Sequence, residues 1–222
     1  MNIILFITVI FLALILNYIS AKKKIFFNFK GDDHQKFISS KNIPLSGGLI
    51  LILTSYYYLS LLNFTYVIFM FCIGFLSDIK KINSPKFRFI MQTIIVLGVV
   101  YFSSIIVVGT RTAFLDQLLT NNIFAIIFTV FCILIVINGY NFIDGVNPSL
   151  IGYCLIVSLS LYYLSSNGVE ISQILDFDNL ITILTALFIL NFFNKIYLGD
   201  GGSYFLGFLF ALTLINTYQI NN

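Results

Sequence analysis

Asp200 stands among three glycines and a serine in Lys195-Ile-Tyr-Leu-Gly-Asp-Gly-Gly-Ser203, between two apolar runs. A carboxylate so placed at a membrane surface can hold Mg²⁺, which takes one or two carboxylates together with substrate phosphates. Gly199, Gly201 and Gly202 let the backbone fold closely around a ligand and leave N–H groups to point at phosphate. The same residues also suit a Gly-rich turn with Asp200 solvated at its tip.

A second polar stretch, Asn138-Gly-Tyr-Asn-Phe-Ile-Asp-Gly-Val-Asn147, sets Asp144 among three asparagines at a helix–loop junction. Amides and a carboxylate there suit recognition of a nucleotide or sugar; caps and turn bonding by Asn and Asp are the alternative. Asp78 opens a basic loop with Lys80, Lys81, Lys86 and Arg88, and Asp32-Asp33-His34 lies in a loop over 22–43 that holds six basic residues. For Asp32 and Asp33 a solvated loop is the favoured reading. His34 is the one histidine, which argues against a zinc site built on His and Cys. Cys72, Cys132 and Cys154 fall within apolar runs and are expected as buried small hydrophobes.

The elements that must position these groups are membrane helices. The 222 residues are 59% hydrophobic and 9% charged, against about 25% charge in a soluble domain. The apolar runs are long and continuous, which favours helices over a β-barrel. Spans are expected over residues 2–20, 89–108, 122–137, 148–164, 179–194 and 204–218. Lysines follow the first span and none precedes it, the reverse of a signal peptide. Residues 45–77 carry no charge, and one helix of that length is about 50 Å long, against a hydrocarbon core of about 30 Å. Asn63 and Thr65 at its midpoint suggest a tight hairpin. With two helices there, eleven of twelve basic residues fall on one side and only Arg111 on the other; with one helix the split is seven to five. The positive-inside bias selects two. The expected fold is all-α: a single integral membrane domain over 1–222, a polytopic bundle of about eight transmembrane helices with its N-terminus outside.

This topology also sorts the acids. Asp32, Asp33, Asp78, Asp144 and Asp200 fall on the inner side; Asp116, Glu170, Asp176 and Asp178 fall outside. Five aspartates beside eleven cations look like a site for Mg²⁺ and a polyanion at the cytoplasmic membrane surface, although lipid contact and orientation account for most of the lysines.

Four blocks resemble, in order, the polyprenyl-phosphate N-acetylhexosamine-1-phosphate transferases, glycosyltransferase family 4-like membrane enzymes. They are Pro44-Leu-Ser-Gly-Gly-Leu49; Gly74-Phe-Leu-Ser-Asp78 followed by Pro85 and Gln92; Asn138-x-x-Asn-Phe-Ile-Asp-Gly145; and Asn191 through Tyr197-Leu-Gly-Asp-Gly-Gly-Ser203. The resemblance implies transfer of N-acetylhexosamine 1-phosphate from a UDP-sugar to polyprenyl (undecaprenyl) phosphate with release of UMP, the first membrane step of a cell-envelope glycan. Mg²⁺ is the implied cofactor. The implied catalytic residues are Asp78, Asp144 and Asp200, with Asp200 and Asp78 on the metal. Lys36, Asn138, Asn141, Asn147, Asn191, Tyr197, Gly199 and Ser203 are implied to contact substrate, Tyr197 by stacking on the uracil. The partners are the lipid phosphate, the UDP-N-acetylhexosamine and the bilayer, with no nucleic acid; the location is the plasma membrane, with a cytoplasmic active face.

The chain departs from the family pattern at Ser77, where the first of two aspartates is usual, and in Gln35-Lys36-Phe37-Ile38, which matches Arg-Lys-x-His only in part. The family also continues with further helices and a His-containing cytoplasmic loop that no stretch of these residues matches. The alternative expectation is therefore a truncated, inactive member that binds lipid phosphate or nucleotide sugar. A transporter would carry ionisable residues within its spans, and none is expected here. The Asp-Gly-x-x-Ala-Arg motif of CDP-alcohol phosphatidyltransferases is absent, since Asp144-Gly145 precedes Val146-Asn147-Pro148.

Overall fold

Chain order gives α1 (Ile3–Lys23), α2 (Gly47–Thr54, continued by a 3₁₀ turn Ser55–Tyr57), α3 (Leu61–Asp78), α4 (Pro85–Ser103), α5 (Ala113–Leu119), α6 (Asn122–Ile143), α7 (Ser149–Ser166), α8 (Phe177–Phe192) and α9 (Gly199–Ile220). A computed structural model describes residues 2–23, 43–59, 61–146 and 148–221, with the backbone alone for 61–64. The described part is helical, as the apolar runs require. Helices α1, α4, α6, α7 and α9 are long and apolar enough to cross a membrane; α2, α3 and α8 are shorter apolar helices. On α1, Ile4, Ile7, Phe11, Leu14 and Tyr18 are exposed while Leu5, Val9 and Ala13 are buried. A stripe of exposed apolar side chains opposite a packed one is what a lipid-facing helix presents.

The uncharged run 45–77 does form two helices, but its turn lies earlier than Asn63 and Thr65. Thr54 and Ser55 turn their hydroxyls back to the carbonyls of Ile50 and Ile52, at 2.7 and 2.6 Å. The chain then tightens into the 3₁₀ turn, Leu59 bridges to Leu175, and Tyr58 O accepts the Asp176 N–H at 3.0 Å. Backbone groups freed at the turn are thus satisfied, which the apolar setting demands.

Three boundaries shift toward the polar motifs. Helix α4 starts at Pro85 rather than at 89, because Ser84 accepts the Phe87 N–H and proline fits the first helical position; it stops at Ser103, before Ser104 at φ 55°. Helix α6 runs on to Ile143, through residues expected as a loop, and Asn138 returns its amide to Leu134 O at 2.8 Å. Helix α9 starts at Gly199 rather than at 204, so the Gly-rich segment is its first turn. The short α5 lies within the expected loop 109–121. Of the cysteines, Cys154 is buried, Cys132 half-buried and Cys72 exposed on α3, which corrects the expectation that all three are buried.

Helix α9 is the axle. Every residue from 201 to 213 is buried, enclosed by α2, α3, α6 and α7. In lipid, close packing of small residues drives such contacts. A Cβ on Gly74 of α3 would meet Gly201 Cα at 2.6 Å, and one on Gly48 of α2 would meet Gly202 N at 2.6 Å. At both crossings backbone lies on backbone.

Hydrogen bonds fix which helix ends lie together. Asn17 near the end of α1 donates to Lys195 O at 3.0 Å, whereas Asn2 N donates to Thr182 Oγ1, near the start of α8, at 3.2 Å. At the far end, Gln219 reaches Ser104 O and Asn221 reaches Glu170 O. Lys22, Lys23, Lys80, Lys81, Lys86, Arg88 and Lys195 therefore share the end that carries Asp78, Asp144 and Asp200. Among the described residues Arg111, Asp116, Glu170, Asp176 and Asp178 occupy the other.

Candidate active site

The three inner-side acids of the described chain meet where α3 and α6 stop and α9 starts. Asp78 is the last residue of α3, Asp144 caps α6, and Asp200 is in the first turn of α9. The first two N–H groups of α2, at Gly47 and Gly48, donate to Tyr197 O and Leu198 O at 2.9 and 3.0 Å, and Tyr197 N donates to Pro44 O at 2.8 Å. The Pro44–Leu49 block thereby clamps the segment leading into α9.

Asp78 acts on backbone. Its Oδ1 accepts the Asp200 N–H at 2.9 Å and its Oδ2 the Gly201 N–H at 3.0 Å. A carboxylate at a helix start satisfies donors that have no intrahelical partner and complements the helix dipole. Gly199 makes room for it: φ is +76°, and a Cβ there would stand 2.7 Å from Asp78 Oδ2. Both space and backbone conformation call for glycine.

Asp200 has partners on both oxygens. Oδ2 accepts from Ser77 Oγ at 2.7 Å and from Arg88 Nη1 at 2.7 Å, and Oδ1 accepts from Asn141 Nδ2 at 2.9 Å. Arg88 Nη1 also donates to Ser77 Oγ at 2.8 Å, and Asn141 Nδ2 to Ser203 Oγ at 2.9 Å. Ser203 is buried and donates to Asp200 O at 3.2 Å. The carboxylate is gripped by α3, α4 and α6 while its backbone belongs to α9.

Asp144 completes the group. Burial first, then the charges of Asp200 and Asp78, push its carboxyl up to about 8, against the Gly199 N–H, which favours the ionised form. Like charges drawn together in a partly apolar setting resist ionisation. A positive charge beside such a group would favour the ionised form.

The donor chemistry suits Mg²⁺: hard carboxylate oxygens, set beside hydroxyl and amide groups. Among the described residues no three such acids already stand as a closed metal cage. Mg²⁺ needs none, since it is usually held by one or two carboxylates plus substrate phosphates.

The other sequence-derived residues divide. Asn141, Gly199 and Ser203 stand in the cluster. Asn138 lies one turn away, exposed, and donates to Gln92 Oε1 at 3.1 Å. Asn191 is buried and donates to Ile196 O at 3.1 Å, bracing the turn between α8 and α9. Tyr197 is 8% exposed, with its hydroxyl on Asn194 Oδ1 at 3.3 Å. Lys36, Asn147, Asp32, Asp33 and His34 lie outside the described residues.

Arg88 is the functional residue that sequence reasoning passed over, counted only as one more cation of a basic loop. Ser84-Pro85 is a legible helix start, and it puts Arg88 on the first turn of α4 rather than in solvent. Tyr204, 3.4 Å from Arg88 through its hydroxyl, reads in the sequence only as the start of a span.

The family model described as glycosyl transferase family 4 matches residues 58–218, which contain all three acids, Arg88 and Asn141. Among curated proteins no match was found.

Proposed function

Because the chain belongs to glycosyl transferase family 4, whose members are polyprenyl-phosphate sugar-1-phosphate transferases, we propose that it moves N-acetylhexosamine 1-phosphate from a UDP-sugar to undecaprenyl phosphate and releases UMP. The observation that carries this reading is the meeting of Asp78, Asp144 and Asp200 at the end of the bundle that also gathers the basic residues.

In the reaction an oxygen of the lipid phosphate bonds to the sugar-bearing phosphorus, the bridging P–O bond breaks, and UMP leaves. The lipid phosphate is already largely ionised near neutral pH, so positioning and charge neutralisation carry most of the catalysis. Asp200, held at both oxygens, is the proposed Mg²⁺ ligand, with Asp78 beside it. Mg²⁺, when bound, supplies positive charge to the diphosphate oxygens. Asp78 also fixes the first turn of α9, so Asp200 keeps its place. Asn141 orients Asp200 from α6, and Asn138 lies within reach of the same face. The donor sugar is proposed as N-acetylglucosamine or another simple N-acetylhexosamine, because Pro44-Leu-Ser-Gly-Gly differs from the Thr-Pro-Thr-Met-Gly-Gly form of the muramoyl-pentapeptide branch.

The positive-inside bias supports a cytoplasmic site end and an outer N-terminus in the plasma membrane. The test is UMP release by the purified chain, given UDP-N-acetylglucosamine, undecaprenyl phosphate and Mg²⁺. Release that needs all three, and falls at least about 100-fold in Asp200→Asn, supports the reading. Full release by Asp200→Asn sinks the site assignment. Ser77 in place of an acid favours one second reading, a binder without turnover; UDP-sugar binding with no UMP release under any condition selects it.

A further inference from the structure

Arg88 brings a guanidinium into a group of carboxylates, and it is held there incompletely. Nη1 makes its contacts to Asp200 Oδ2, Ser77 Oγ and Tyr204 Oη, at 2.7, 2.8 and 3.4 Å. Nε is buried and has no partner among the described residues. The strong arrangement of a guanidinium and a carboxylate is bidentate, with two parallel N–H···O bonds; a single nitrogen serves Asp200 here. The side chains of Arg88 and Asp200 are 21% and 30% exposed, so a solute can reach the pair.

A carboxylate that gathers Ser77, Arg88 and Asn141 is satisfied without a metal. A divalent cation that approaches Asp200 Oδ2 meets the Arg88 charge. A diphosphate that approaches alone meets three acids. The two together relieve both conflicts: the cation satisfies the carboxylate, and the diphosphate offers the guanidinium a pair of oxygens matched to its planar fork.

Resting on the reading that Asp200 receives a divalent cation and a nucleoside diphosphate, we propose that Arg88 is an exchangeable counter-ion, which neutralises Asp200 in the empty site and turns to the diphosphate when both ligands arrive. Cation and nucleotide then bind as a coupled pair, each raising the affinity for the other. The first turn of α4 is the pivot, and Nε, which has no partner among the described residues, forms the fork with the Nη2 beside it.

The experiment uses the purified full chain in detergent, with Mn²⁺ read by its electron paramagnetic resonance signal and UDP by calorimetry at saturating Mn²⁺. In Arg88→Gln the competing charge is gone. Mn²⁺ alone is expected to bind about tenfold more tightly than in the native chain, and UDP about tenfold more weakly, within the usual range of such couplings. Arg88→Lys keeps a charge but loses the fork, so Mn²⁺ affinity stays within about threefold of native while UDP weakens. This second variant carries the test if Arg88→Gln does not fold. Unchanged or weaker Mn²⁺ binding in Arg88→Gln, or native UDP binding in Arg88→Lys, overturns the proposal. Asp200→Asn separates the two levels: loss of Mn²⁺ keeps the metal reading whatever Arg88 does, and retained Mn²⁺ removes that reading and the exchange with it.

Discussion

Asp78 holds Asp200 by its backbone: Oδ1 of the first accepts the N–H of the second at 2.9 Å, and Gly201 N–H follows on Oδ2 at 3.0 Å. Two acids of one site thus divide their work. One offers its side chain to Ser77, Arg88 and Asn141, and the other holds the peptide that carries it. Asp78→Ala leaves two donors at the start of a buried helix without acceptors and is expected to cost about 2–4 kcal/mol, at 1–2 kcal/mol for each orphaned donor. Asp78→Asn keeps one acceptor and is expected to lose about half of that. Thermal unfolding in detergent reads the difference; equal melting temperatures for the two variants would remove the capping role.

Asn141 joins α6 to α9 through Asp200 Oδ1 and Ser203 Oγ. Asn141→Ala is expected to lower UMP release about 10- to 100-fold, the usual cost of losing a group that orients a metal-binding side chain. Its melting temperature should stay near native, because the helix itself does not depend on that amide. Turnover within twofold of native would show that Asp200 needs no orientation from α6.

Two helical glycines give an internal comparison. A Cβ on Gly74 is driven into the α9 backbone at Asp200 and Gly201, whereas a Cβ on Gly98 of α4 meets nothing within 4 Å. Gly74→Ala is expected to destabilise by about 1–3 kcal/mol or more, since neither backbone can yield cheaply. Gly98→Ala should be neutral or stabilise by up to about 1 kcal/mol, the helix-propensity gain. A melting temperature for Gly74→Ala at or above that of Gly98→Ala would contradict the backbone-on-backbone crossing.

The raised carboxyl of Asp144 makes stability depend on pH. Its folded value of about 8 lies above the ordinary 3.8. The folded state therefore holds a proton that the unfolded state releases, and the stabilisation is complete below about pH 4 and lost as pH rises through about 8. With EDTA present, the melting temperature of the native chain should decline over that window. Asp144→Asn, neutral throughout, should flatten the decline. An unchanged slope in the variant would assign the titration elsewhere.

Much of the fold was legible in the sequence. Apolar run lengths located the helices, and the distribution of lysine and arginine chose two helices for 45–77. That choice alone puts Asp78, Asp144 and Asp200 at one end. Run length could not locate where polar residues join helices. Asn138 and Asn141 read as a loop by composition, yet α6 absorbs them because Asn138 can bond to Leu134 O and to Gln92. The Gly-rich segment reads as a turn, yet it becomes helix because Asp78, distant in sequence, supplies its cap. Asn191 and Tyr197 belong to the same motif block as Asp200, but buried contacts engage them in holding the segment before α9. Tertiary partners decide these cases, and local pattern cannot name them.

The burial of α9 has a consequence for synthesis. Of the described helices it is the one that a ribosome completes last, yet α2, α3, α6 and α7 are arranged around it. Until residues 199–213 emerge, Gly48 and Gly74 lack the backbone they pack against, and the Asp78 carboxylate has no helix start to hold. The earlier helices can enter the bilayer one by one, but their common interior closes only when α9 arrives between them. Contacts that join residue 74 to residue 201 are far apart along the chain and form slowly for that reason. The three acids come together in this late step, so a nascent chain would have its membrane topology before Asp78, Asp144 and Asp200 meet.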